Sequence, residues 1–156
     1  MAKTNPSVVL LKGSPIIKEA PLEALDACGN GAITPGMLCE MYGTDVRPHS
    51  SSAGLAKPVI VALEGLAIDP TSQTMAGIDT DYDEDAQAVR LAYAKPGDEY
   101  YMFVAPLASA ILINAALESN GDGYLKGGAT SPVARALEAK DNSAGNTPAR
   151  IKVEVM

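Results

Sequence analysis

A chain of 156 residues with 12 lysines and arginines against 19 aspartates and glutamates carries a formal charge of -7, and at this length it can bury about 68–70% of its unfolded surface in a core without staples. Affinity for phosphate backbones comes from basic residues that release counterions; with so few of them, no tryptophan and one phenylalanine, nucleic acid is not an expected partner. No apolar run approaches the roughly 18–20 residues of a membrane span and the first residues lack the apolar core of an export signal, so neither a membrane partner nor export is expected.

The chain opens on 5-NPSVVLLKGSPIIKEAP-21. Its two apolar clusters, Val8 to Leu11 and Ile16 to Ile17, are separated by Lys-Gly-Ser-Pro and flanked by prolines that bias their neighbours to extended backbone. Residues 1–20 therefore read as an extended N-terminal arm, the alternative being an ordinary edge strand, and residues 21–156 as a β-rich domain. One helical turn is predicted at Leu22 to Ala27. From Ile33 onward, glycine- and proline-containing corners fall between short apolar runs, as in a chain of strands. Val89 to Ala94 and Glu99 to Ala105, joined by Lys95-Pro-Gly-Asp98, predict a hairpin. The run 107-LASAILINAAL-117 suits helix by its alanines and strand by its surroundings. In 149-ARIKVEVM-156, Ala149, Ile151, Val153 and Val155 alternate with Arg150, Lys152 and Glu154, the period of a strand with one buried face.

The chain also resembles itself. The segment 33-ITPGMLCE-40 is followed by 58-PVIVALE-64, and 111-ILINAALE-118 by 132-PVARALE-138. Five of seven residues match in the second pair. Two copies of one β-turn-β unit are inferred, against coincidence in a chain rich in alanine and valine. The stretch 118-ESNGDGYLKG-127 then reads as a corner: it occupies the place that Gly43-Thr44-Asp45 takes in the first copy. As a calcium loop it would need a bidentate glutamate at its twelfth position, where Ala129 stands.

Other candidate chemistry is thin. The cluster 79-DTDYDED-85 has oxygen ligands enough for a hard cation, but no turn glycine or paired carbonyls to fix a cage, and reads as a solvated loop. His49, in 47-RPHSSSAG-54, lacks an oxyanion-hole glycine motif and reads as a surface loop rather than a base for a neighbouring serine. Cys28 and Cys39 fit neither a disulfide framework nor a metal site and read as reduced core residues. No catalytic, cofactor-binding or metal residue is expected, and the chain does not read as an enzyme.

Taken together, Ile33-Thr-Pro-Gly-Met-Leu, Pro48-His49-Ser, 58-PVIVALE-64, Gly77-Ile-Asp-Thr-Asp-Tyr82, Pro96-Gly-Asp-Glu99, 117-LESNGDGYLK-126 and 132-PVARALEAKDNSAGNTPARIKVEV-155 resemble the small head decoration (cement) proteins of tailed bacteriophages. The similarity covers roughly residues 30 to 156 and is sharpest in the C-terminal third. It implies a virion protein without cofactor, made in the host cytoplasm and bound to the outer capsid surface. Its partners would be the major capsid protein and itself, as a homotrimer at three-fold or pseudo-three-fold positions that clamps neighbouring subunits. The capsid-binding side chains expected on the arm are Val8, Val9, Leu10, Leu11, Ile16 and Ile17. A receptor- or carbohydrate-binding module on a virion is the alternative. The fold expected is mainly β: a small barrel or sandwich of two related β-turn-β units, with the arm in front.

Overall fold

Period-two alternation produces strands throughout the protein, with no helix among the described residues. The structure is a computed structural model that describes residue 6 and residues 8–23, 32–65, 77–82, 88–106 and 109–156. Its strands are β1 (Leu10–Lys12), β2 (Ile16–Ala20), β3 (Leu38–Tyr42), β4 (Asp45–Pro48), β5 (Ile60–Ala62), β6 (Val89–Tyr93), β7 (Glu99–Val104), β8 (Ala116–Ser119), β9 (Leu125–Gly127), β10 (Ala134–Ala136) and β11 (Ala149–Val155). The ambiguous run resolves as extended backbone, with a bridge at Ile111, a turn at Ile113–Asn114 and then β8; residues 107–108 lie outside the described residues. Of the expected helical turn, Leu22 bridges Val46 and Glu23 donates its N–H to the Val46 carbonyl, so neither is helical, and residues 24–27 lie outside the described residues.

The strands form two sheets, in the orders β2-β6-β5-β3-β4 and β7-β11-β10-β8-β9, the latter with β1 added beside β7. The second sheet closes into a barrel where β9 meets β7 in parallel, Val104 opposite Leu125. The first closes at the corresponding place through a parallel bridge between Leu22 and Val46.

The two barrels repeat one another pair by pair. Leu38 opposite Val61 and Cys39 opposite Ile60 recur as Ala116 opposite Arg135 and Leu117 opposite Ala134. Ile60–Tyr93, Val61–Ala92 and Ala62–Leu91 recur as Ala134–Val155, Arg135–Glu154 and Ala136–Val153. Outside the strands, the Ile33–Tyr82 bridge recurs as Ile111–Lys140. The turn into β3 holds Gly36 at φ +98° with its N–H on the Ala62 carbonyl at 2.8 Å; the turn into β8 holds Asn114 at φ +66° with its N–H on the Ala136 carbonyl at 2.8 Å. The inferred β-turn-β units are thus the central portions of two whole five-stranded barrels in tandem.

Two expectations are corrected. β6 and β7 are no hairpin: each pairs within its own barrel, and Lys95–Asp98 links the barrels. The turn itself forms as predicted, with Gly97 at φ +93° and the Asp98 carboxylate accepting the Lys95 N–H at 2.9 Å, but a turn sets only the local reversal: Val89 and Leu91 of β6 pack into one core and Tyr100, Met102 and Val104 of β7 into the other. The N-terminal segment is extended yet does not stand off as an arm. β1 lies along β7, and β2 forms a full ladder with β6, Ile16 to Ala20 opposite Tyr93 to Val89. Pairing satisfies backbone groups that a free arm would leave to water.

The apolar side chains fall into two clusters. One fills the N-terminal barrel, around Ile33, Cys39, Val46, Ile60 and Leu91, with Phe103 and Tyr124 of the other barrel packed on it. The other fills the C-terminal barrel, around Tyr100, Met102, Leu117, Leu125, Ile151 and Val153, and extends over Leu38, Val61 and Ala92 on the outer wall of the N-terminal barrel.

Candidate interaction surface and the barrel junction

The residues expected to bind a capsid separate once folded. Val9 is fully buried in the protein's own core, with its N–H on Glu64 Oε2 at 3.1 Å and its carbonyl accepting the Tyr101 N–H at 2.8 Å, so it is not available to a partner. Leu10 and Leu11 are half-buried in β1. Val8, Ile16 and Ile17 are exposed, Ile16 by 55%.

Ile16 and Ile17 lie on an edge with an internal counterpart. Matching Leu22 to Val104 and Val46 to Leu125 aligns Ile17 with Glu99 and Lys18 with Tyr100. On β7 those positions are covered by β1, Leu10 opposite Tyr100 and Lys12 opposite Glu99. On β2 no strand pairs there among the described residues. A short edge strand carrying a lysine is a usual protection against unwanted pairing, and Lys18 lies with its Nζ 4.6 Å from the Tyr93 ring centre.

The junction between the barrels is built by the corner 120–124. The Leu38 N–H donates to the Gly123 carbonyl at 2.8 Å, and the Gly123 N–H to the His49 carbonyl at 3.1 Å. Gly121 and Gly123 have φ of +93° and +82°; a Cβ on Gly121 would stand 2.8 Å from the Ser52 backbone nitrogen. Asp122 closes the turn on itself, accepting the Tyr124 N–H at 3.1 Å and the Asn120 amide at 2.8 Å. Its carboxylate serves the corner, and no group of three or more metal-ligating side chains occurs among the described residues. The segment from β4 to Pro58 runs nine residues, 49–57, against four, 128–131, in the second copy. That extra length reaches the corner: Ala53 N–H donates to the Ser119 carbonyl at 2.8 Å and Lys126 Nζ to Ser52 Oγ at 2.7 Å.

His49 is buried at this junction, contrary to the surface loop its neighbours predict. Its Nδ1 is 2.7 Å from Ser119 Oγ, which also accepts the Gly121 N–H at 3.1 Å, and its Nε2 is 3.8 Å from Glu40 Oε2. Burial pushes the Glu40 carboxyl up, but hydrogen bonds from Ser50 and Arg47 outweigh it and hold the group below its ordinary value. The serine, histidine and acid align, yet Ser119 is fully buried and presents no oxygen to a substrate. The array joins the barrels. Ser119→Ala would leave the Gly121 N–H and His49 Nδ1 without this partner, a cost of about 2 kcal/mol; thermal unfolding should show a midpoint about 4–8 °C lower, and an unchanged midpoint would remove His49 from the junction's energetics.

Of the acidic cluster, Asp79 pairs with Arg150 Nη1 and Asp81 accepts from Thr34 Oγ1 at 2.7 Å, while Asp83 to Asp85 lie outside the described residues. Arg150 stacks 4.1 Å over the Phe103 ring and donates to the Pro35 carbonyl at 3.0 Å, a second tie across the junction. Cys39 is buried, and desolvation pushes its thiol up to about 12, which leaves it unreactive at neutral pH. Cys28 lies outside the described residues.

Four exposed apolar side chains at the barrel ends lie outside the residues expected from sequence: Met41 and Tyr42 beside the β3–β4 corner, and Leu112 and Ile113 before β8. The repeat held the signal, since Thr34 and Pro35 stand where Leu112 and Ile113 do. No protein-family model matches the chain, and no curated protein matches it.

Proposed function

We propose that this chain is a structural virion protein that binds the outer surface of a tailed-phage capsid as a homotrimer and bridges neighbouring major capsid subunits. The reading rests on the resemblance of residues 30 to 156 to head decoration proteins, and one structural observation carries it: the edge of β2, which no strand pairs among the described residues, with Ile16 and Ile17 exposed on it. Such an edge accepts an extended strand, backbone hydrogen bonds supplying affinity and alternate side chains specificity. Three such edges on one trimer raise each other's effective concentration, so a modest contact at each suffices. Of the side chains expected from sequence, Val8, Ile16 and Ile17 form the capsid surface, and Val9, Leu10 and Leu11 hold β1 to its own barrel.

The test mixes purified protein with undecorated, expanded heads of the phage that encodes it and measures co-sedimentation. The wild type should bind and Ile16→Asp/Ile17→Asp should lose at least about a hundredfold in affinity, two hot-spot side chains being removed. Undiminished binding by the double variant would move the contact elsewhere, and failure of the wild type to bind would overturn the function.

A further inference from the structure

The junction inside the chain is a head-to-tail contact. The corner of the C-terminal barrel, residues 120–124, docks on the end of the N-terminal barrel that carries Pro35, Leu38 and His49. Among the described residues nothing makes the reciprocal contact: at the corresponding corner of the N-terminal barrel, Gly43–Thr44, a Cβ built on Gly43 would meet no atom within 4 Å beyond its chain neighbours. The corresponding end of the C-terminal barrel is also uncovered among the described residues. Pro35 is buried at the junction, its carbonyl taking Arg150, and the Gly36 carbonyl takes the Phe103 N–H at 3.1 Å. Their counterparts Ile113 and Asn114 are exposed, Ile113 by 60% and its neighbour Leu112 by 71%. The free corner is apolar too, with Tyr42 exposed by 56% next to Met41.

From this juxtaposition we propose that the protein assembles head to tail, the Met41–Tyr42 corner of one copy seating on the Leu112–Ile113 end of the next, as a repeat between chains of the junction within the chain. The occupant is a second copy because the intramolecular junction already shows a corner and an end of these related barrels fitting together, and each copy retains one further corner and one further end uncovered among the described residues. Directional contacts of this kind close into a ring when the rotation allows. The inference rests on the duplication of the barrel and is independent of what the assembly binds.

A directional interface has a distinctive test. The full-length wild type should sediment at a small whole multiple of the single-chain mass. Tyr42→Asp loses the corner and Ile113→Asp the end, so each variant alone should associate at least about tenfold more weakly. Mixed, they retain one intact corner and one intact end between them, and should form a pair that grows no further. A second pair, Met41→Lys and Leu112→Lys, repeats the cycle so that a folding defect in one variant leaves the answer readable. A wild type that stays single at every concentration, variants that keep the wild-type mass, or a mixture that does not pair would overturn the proposal.

Discussion

Gly36→Ala is expected to cost about 3 kcal/mol, while Asn114→Gly, at the corresponding turn, changes stability by about 0.5 kcal/mol or less. Both residues have positive φ, +98° and +66°, and both donate the same backbone hydrogen bond. Only the first is crowded. A Cβ on Gly36 would lie 2.9 Å from the Tyr101 carbonyl oxygen, a backbone atom of the other barrel, whereas Asn114 is exposed at the free end. The left-handed penalty of about 1–2 kcal/mol and overpacking of about 1–3 kcal/mol both fall on Gly36→Ala. Asn114→Gly exchanges a tolerated left-handed residue for a more flexible one. Urea unfolding of the two variants measures the difference, and equal midpoints would contradict the account of Gly36 as a junction residue.

Removal of residues 1–20 should abolish the cooperative folding of the N-terminal barrel, and removal of residues 1–7 should not. The longer deletion takes β2 out of a ladder five residues long and exposes the strand face behind it; it also removes Val9 and Ala20 from the two cores. Backbone hydrogen bonds contribute about 1 kcal/mol each and a buried valine about 2, so the sum rivals the whole 5–15 kcal/mol of a domain. The shorter deletion leaves both strands. Amide exchange reads the outcome directly: protection at β5 and β6 should vanish in the chain beginning at residue 21 and persist in the chain beginning at residue 8. Protection retained in both would mean that β2 is dispensable and that the segment behaves as the arm its sequence predicts.

Much of this architecture was legible in residue order because its causes are local. Alternation marks β11, Pro96-Gly97 marks a turn, and the Pro-Val-x-x-Ala-Leu-Glu repeat marks β5 and β10 as equivalent before any pairing is seen. The duplication of a whole barrel was not legible. Outside those positions and the paired segments 33–40 and 111–118, equivalence lies in register, as in Ile17 with Glu99 or Val46 with Leu125, and register is a relation between distant segments.

What the sequence determined by itself, then, was the strand content, the corners and the existence of two related units, since period-two patterning and turn chemistry act within a few residues. Tertiary structure decided the rest. It drew β1 and β2 into the sheets, parted β6 from β7, buried His49 against Ser119 and left one corner and one end of a repeated junction uncovered among the described residues. Each of these depends on which apolar faces and unpaired backbone edges meet across the chain.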